Sequence, residues 1–536
     1  MKHLSTLLTL LLAVCALQAQ QLSFAKGTYG IDTNKKIIVA TGNQAAKAEQ
    51  VRVGQEMFIL YRTTMPVINI TTDGPIVNTP AVHGIVSVAD AQGNVIEMDA
   101  GFKIRGTSSQ LYDKKSYRME LWADETGLLM ADTTFLGLRS DDDWNLEAMW
   151  TQPLRLRNKV ANQLWMEMYQ LPYQSSEPDA LPGIRMEYAD LFVNGEYVGI
   201  YALTERMDRK QLGLRKYNGN LRGVLYKGNG AGAPTFESLP DFDNASDTWD
   251  NYEWVYPNES DTAIDWENLY GFTNFVMNAS DNAFYSQYSL QADVDNLVDY
   301  YLFVNVLKAM DNMGRNVFLA RYKKSSTYFY LPWDLDAILG LDTDGHQGVG
   351  TAGLMGNGLY DRLLNDCQPD GFVEKAQLRY NALRNDVLTR DHIAAMFRNQ
   401  YELLDEEGAY EREHEAWPDF VADASQLDYL SDWLDARLQY LDTELNAGCG
   451  TWGREEPSAQ ALVEVFPNPA HGLVNLRFSE SCAKYVSFYD MTGRRVYSKY
   501  TDSQQLVVNT GTFPKGVYAI LVSTTEGNYV ERLLLQ

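Results

Sequence analysis

An α+β protein is what the sequence predicts: a large mixed domain with a small β element before it and a small all-β sandwich after it. Three observations lead there. Residues 317–322 and 327–331 are apolar, aromatic and β-branched, and the polar Lys323-Lys324-Ser325-Ser326 between them reads as the turn of a tight hairpin. Residues 293–310 place Leu297, Tyr300 or Tyr301, Val304 and Leu307 at the spacing of an amphipathic helix, with Asp293 or Asp295 as N-cap. Residues 461–536 consist of short strand-like runs (474–478, 485–489, 516–522, 529–535) separated by turns such as Thr492-Gly493 and Glu526-Gly527.

The chain has 536 residues, too many for one core. Its segments are 1–19, 20–64, 65–445, 446–460 and 461–536. The first reads as a signal peptide: Lys2 and His3, an apolar run over 4–17, and the small Ala19. That run is shorter than the roughly 20 apolar residues of a membrane span, and no other segment could cross a bilayer. Val14 departs from the small residue that lipidation at Cys15 would want. Residues 21–64 alternate apolar and polar side chains, as at 36–40 and 57–61, and form the small β element.

From 66 the chain is β-rich, with strands at 65–70 and 84–88. A strand, the turn Arg105-Gly106-Thr107-Ser108-Ser109 and a segment with Lys114 and Lys115 make one way to cradle phosphate oxygens. A helix over about 154–168 has Val160, Leu164 and Met168 on one face and Arg157 near its start. Asn194-Gly195 between alternating runs is the strongest hairpin signal in the chain, and this hairpin ends at Glu205. Residues 227–232 read as a flexible glycine loop. Residues 236–269, with Trp249, Trp254 and Trp266, read as an insertion or lid suited to a basic or carbohydrate partner. Residues 341–358 are Gly-rich without periodicity, the pattern of a lid or a linker, and 359–445 is helical. Removing Cys15 leaves Cys367, Cys449 and Cys482, which permit one bridge, Cys367–Cys449, or three free thiols.

A hairpin brings its ends together, so Asp311 and Asn316 before the first strand should meet Asp334 and Asp336 after the second. Crowded carboxylates repel unless a cation lies between them, and oxygen donors of this kind suit Mg²⁺ or Mn²⁺. Protein kinases place a catalytic aspartate, an asparagine five residues on, two short strands and a metal-binding aspartate in this order. The His-Arg before the first aspartate and the Phe-Gly after the second in ordinary kinases are absent here.

The segments IRGTSSQLYDKKSYRMEL, LRLRNKV, LFVNGEYVGIYALTERMD, LYK, MDNMGRN and LPWDLD occur in one order that resembles the spore coat protein H (CotH) kinase-like family, over about 66–445. The resemblance implies an atypical protein-kinase-like, two-lobed fold and ATP-dependent phosphorylation of Ser/Thr on secreted or surface proteins. It implies Asp311 as catalytic aspartate and Asp334 as metal ligand, with Asn316 a second ligand and Asp336 a support. Lys114 or Lys115 would hold phosphate, Lys115 being preferred, with Arg105, Ser108, Arg157 and Glu205 around the nucleotide. The segments FPNPAHGLVNLRF, VSFYDMTGRRVYS and PKGVYAILVSTTEGNYVERLLLQ are similar to a type IX secretion sorting domain. That resemblance implies handling by the type IX machinery, then surface attachment or release.

The net charge of −26 argues against nucleic acid or an anionic membrane as partner. Two rival readings stand beside the kinase. Asp334-Leu335-Asp336 is also the D-x-D that holds a nucleotide sugar in metal-dependent glycosyltransferases, and a kinase-like fold also serves adenylate or amino-acid transfer. A catalytically inactive surface adhesin or glycan binder is the other.

Overall fold

The computed structural model describes residues 24–106, 108–258, 264–449, 463–478, 484–491, 494–524 and 527–536. The expected signal peptide, Cys15, Cys482, the turn at Thr492-Gly493 and most of the 446–460 linker lie outside them. The described residues form two compact units. One comprises the residues up to Val160 with Ile184–Met207 and Ala395–Ala424; the other comprises Ala161–Gly183, Asp208–Ala394 and Ser425–Gln536.

In the first unit, β1 (Tyr29–Asp32), β2 (Ile37–Thr41), β3 (Lys47–Val53) and β4 (Glu56–Thr63) form a sheet in the order β1-β2-β4-β3. Strand β2 is buried on both faces because its alternate side chains enter two cores. Ile37 and Val39 pack with Tyr61, Val67, Phe192 and Tyr197, while Ile38 and Ala40 pack with Phe58 and Leu60. The small β element thus shares a core with the strands that follow.

Those strands are β5 (Val67–Thr72), β6 (Val82–Ala89), β7 (Val95–Ile104), β8 (Tyr117–Trp122), a short ribbon of β9 (Thr133–Thr134) and β10 (Ser140–Asp141), then β11 (Asp143–Glu147), β12 (Met186–Val193) and β13 (Glu196–Thr204). All but the ribbon close into a barrel, β11-β13-β12-β5-β6-β7-β8. Inward-pointing Ile68, Val86, Phe102, Met119, Trp144, Leu191 and Tyr201 fill it. The β12–β13 turn is the expected Asn-Gly hairpin: Asn194 and Gly195 both have positive φ, 52° and 78°.

In the second unit, β14 (Val224–Asn229), β15 (Thr248–Trp249), β16 (Tyr252–Tyr256), β17 (Arg315–Arg321) and β18 (Tyr328–Pro332) form a sheet in the order β15-β16-β14-β17-β18. Among the described residues the α-helices are α1 (Arg157–Met168), α2 (Glu267–Asn278), α3 (Asp281–Gln291), α4 (Val294–Leu307), α5 (Gly358–Leu363), α6 (Phe372–Arg384), α7 (Arg390–Glu406), α8 (Ala409–Ala416) and α9 (Ser425–Glu444). Among the described residues none is long and apolar enough to cross a membrane. Helix α4 is buried from Asn296 to Leu307 rather than amphipathic, because β18, α6 and α9 surround it. Its N-cap is Asp293, whose carboxylate accepts from Asn296 N at 3.0 Å.

Two expectations are corrected here. Residues 227–229 are not loop but the end of β14, paired on both sides by β16 and β17. The glycine is required by packing: a Cβ on Gly228 would lie 2.5 Å from the Gly314 carbonyl oxygen. The tryptophans of 236–269 do not form an exposed platform. Trp249, Trp254 and Trp266 are buried and pack on Tyr226 and Tyr252, with Trp254 and Trp266 edge to face at 5.4 Å. Each such pair adds about 0.5–1.5 kcal/mol beyond its buried area, so these three rings are part of the core.

Cys367 and Cys449 form a disulfide between the α5–α6 connection and the chain after α9. The C-terminal strands are β19 (Val463–Phe466), β20 (Leu473–Phe478), β21 (Lys484–Asp490), β22 (Arg495–Thr501), β23 (Gln505–Asn509), β24 (Gly516–Thr524) and β25 (Gly527–Leu535). They make two sheets, β19-β20-β23 and β22-β21-β24-β25, around one core that includes Val474, Leu476, Phe488, Val508, Ile520 and Leu533.

Candidate functional site

The hairpin is β17–β18, in register Val317↔Pro332 to Arg321↔Tyr328. Its open end is closed by backbone: Trp333 N donates to Asn316 O at 3.0 Å, and Arg315 N donates to Asp311 O at 3.0 Å. Asn312, a residue the sequence reading did not single out, spans the two arms. Its Nδ2 donates to Asn316 O at 2.7 Å and to Trp333 O at 2.8 Å. Asn316 and Asp334 both sit in the left-handed region, at φ of 53° and 56°. That conformation costs a non-glycine residue about 1–2 kcal/mol, least for Asn and Asp, and such strain collects at functional sites.

Asp311 is half-buried and Asp334 exposed. Burial pushes the Asp311 carboxyl above the usual range, the Arg315 guanidinium pulls it down, and the negative charge of Asp334 pushes it up again. The Asp311 carboxyl therefore feels the charge of Asp334 across the hairpin end. Asp336 is half-buried. It does not join them in a three-carboxylate group. Among the described residues, three carboxylates gather only at Asp132, Asp141 and Asp142, where one oxygen from each lies within 4.8 Å of the others.

The segment after Asp336 is held, not loose. Tyr429 Oη donates to Gly340 O at 3.0 Å and Trp433 Nε1 to Val349 O at 2.6 Å. Lys308 Nζ donates to the carbonyls of Gly350, at 2.8 Å, and Ala352. Arg437 Nη1 donates to those of Thr351 and Gly353, at 2.6 and 2.7 Å. Four successive carbonyls thus each face a cation from α9 or the end of α4, which is why a glycine-rich stretch without periodicity takes one conformation.

The remaining expected site residues lie in the first unit. Arg105 Nη1 pairs with Glu147 Oε1 at 3.2 Å, and Asn158 Nδ2 donates to Glu147 Oε2 at 2.7 Å. Arg157 is buried at the start of α1. Ser108 opens a 3-10 turn over Ser108–Leu111; its side chain is outside the described part. Lys115 is half-buried and its Nζ caps the carbonyls of Gln110, at 2.9 Å, and Tyr112 in its own loop. Lys114 is the buried lysine. Its Nζ donates to Glu413 Oε1 and to Ile200 O, both at 2.6 Å, and Arg155 Nη2 reaches the same Glu413 oxygen at 3.0 Å. Burial pushes the Lys114 ammonium down to about 7, against the pull of Glu413. Glu413 Oε2 accepts from Ile200 N at 2.7 Å, an approach open only because residue 199 is glycine: a Cβ there would lie 2.2 Å from that oxygen.

Glu205, expected to face a nucleotide, is buried and spends both oxygens on the protein. It accepts from Arg139 N and Arg185 N, each at 2.9 Å, and from Arg185 Nε at 3.0 Å. Its geometry fits a clamp at the end of the β12–β13 hairpin.

A mixed α+β protein with aspartates on both arms of a hairpin end is the class these features define. Residues 102–441 match the CotH kinase protein family, and the chain belongs to it. Residues 464–536 match a secretion system C-terminal sorting domain, which points to type IX secretion and a surface or secreted location. A relative is the inner spore coat protein H of Bacillus subtilis (strain 168), 24% identical over 254 residues, which are 47% of this chain and 62% of that protein. The chain thus spans less than two thirds of that relative's length. Two solved structures align loosely. One is PorZ, a surface component of the type IX secretion system of Porphyromonas gingivalis: 23% identity, TM-score 0.13, 15% of this chain and 12% of that one. The other is the twitchin kinase region of C. elegans: 10% identity, TM-score 0.12, 88% and 99%. At such scores neither bears on the fold.

Proposed function

We propose that the hairpin end is the catalytic centre of a secreted kinase that transfers phosphate from ATP, with Mg²⁺ or Mn²⁺, to Ser/Thr hydroxyls of extracellular or surface proteins. The observation that carries this is geometric: one hairpin end brings the Asp311–Asn316 arm against the Trp333–Asp334 arm, and Asn312 ties the two together. The donor types suit a hard divalent ion: carboxylates at Asp311 and Asp334 and a side-chain amide oxygen at Asn316. Asp334 and Asn316 would hold the ion and Asp336 would support it. A bound ion there would neutralise charge on the phosphate oxygens.

Asp311 would accept the proton of the acceptor hydroxyl and aim that oxygen. By motif, Lys115, Arg105, Ser108 and Arg157 are the proposed phosphate contacts. Burial of Trp249, Trp254 and Trp266 removes the feature that favoured a glycan-binding surface.

Titrating Mg²⁺ and ATP together into the full chain should raise the melting temperature by several degrees, since a ligand at 100 times its Kd adds about 2.7 kcal/mol. Incubation with a protein acceptor should then add about 80 Da per site, one phosphoryl group in place of a hydroxyl proton. No melting shift contradicts nucleotide binding. A larger mass increment replaces phosphate by adenylate or another group.

A further inference from the structure

We propose that Asn312 is a positioning residue of this centre, fixing the backbone from which the Asn316 and Asp334 side chains project. The inference rests on the functional reading above and adds a residue to it.

Asn312 is 2% exposed. A side-chain amide carries two N–H groups. Here one goes to the Asn316 carbonyl and one to the Trp333 carbonyl, at 2.7 and 2.8 Å. Both partners are acceptors only, so the amide orientation is set by chemistry. The two carbonyls are placed tellingly. Asn316 O belongs to the peptide that leaves the left-handed Asn316, and Trp333 O to the peptide that enters the left-handed Asp334. Holding those two peptide planes holds ψ of residue 316 and φ of residue 334, the torsions that aim the two donors.

Asn312 is itself anchored. Its carbonyl accepts from Tyr300 Oη at 2.5 Å, and Tyr300 is 1% exposed on the buried helix α4. Its N–H donates to Ala309 O at 3.0 Å. A chain of contacts thus runs from the core helix, through Tyr300 and Asn312, to both arms of the hairpin. Residues that orient metal ligands without touching the metal typically change metal affinity or activity by about 10–100-fold when removed.

The test is the Mg²⁺ concentration giving half of the ATP-dependent melting shift, read on the full chain, together with amide exchange of the metal-free protein. For Asn312→Ala that concentration should rise about tenfold or more. Amides at 315–317 and 333–335 should lose protection while those of α4 keep it. A lowered melting temperature with an unchanged Mg²⁺ midpoint, within twofold, overturns the role assigned to Asn312 and leaves the kinase reading standing. A wild-type chain with no Mg²⁺-dependent shift removes that reading, and this inference with it. If Asn312→Ala does not fold, Tyr300→Phe decides: it removes only the hydroxyl anchor, and a midpoint raised about threefold supports the chain of contacts, whereas an unchanged one overturns it.

Discussion

Asp334→Asn is expected to lower phosphate transfer by about 10³-fold, the scale on which a single charge-stabilising group at a reacting centre acts, while the metal-free melting temperature stays within a degree or two. Asparagine is the right replacement because residue 334 has φ of 56°, a conformation Asn tolerates nearly as well as Asp. Alanine would add strain of its own and confuse lost chemistry with lost stability. The substitution keeps a donor oxygen and removes the charge. It also removes the neighbour that pushes the Asp311 carboxyl up, so Asp311 should titrate closer to an ordinary aspartate. Labelling of a protein acceptor from radioactive ATP measures the first effect. Labelling at the wild-type rate would show that the exposed carboxylate at the hairpin end does no chemistry.

Glu413→Leu is expected to cost about 3–5 kcal/mol of stability, the usual cost of stripping a buried charge of its partner. Glu413 is fully buried, and its two oxygens serve Lys114, Arg155 and the Ile200 N–H at once. Its removal takes the Glu413 carboxylate from the buried Arg155 and pushes the Lys114 amine further towards its neutral form. Lys114→Met should cost far less, about 1–2 kcal/mol, because Arg155 still neutralises Glu413 and the methionine fills much of the lysine's volume. Urea midpoints of the two variants give the comparison. The reverse order would mean that Lys114 does more than balance charge.

Much of this architecture was legible. The β17–β18 hairpin announced itself through aromatic and β-branched runs around Lys323–Ser326, and Asn194-Gly195 through the two positive φ values its turn requires. What stayed hidden depends on contacts that leave no local signature. Gly228 looked like loop because a strand that lies against the Gly314 carbonyl has no room for a side chain. The tryptophans of 236–269 looked like a binding surface because short, widely spaced strands give no periodicity to separate buried rings from exposed ones.

Glu413 is 299 residues from Lys114, so nothing in the sequence near either names the other. Asn312 sat inside a motif already noticed, yet its partners are backbone carbonyls, which any residue supplies. Lys115 drew attention as the lysine of the motif, whereas its neighbour Lys114 is the one the barrel encloses.

Crystals of the full chain soaked with Mn²⁺ and a non-hydrolysable ATP analogue, read by anomalous scattering, test most directly whether the hairpin end grips a divalent ion. A peak within about 2–2.5 Å of oxygens from Asp334 and Asn316 is the result expected. A peak confined to Asp132, Asp141 and Asp142, with none at the hairpin, would contradict it.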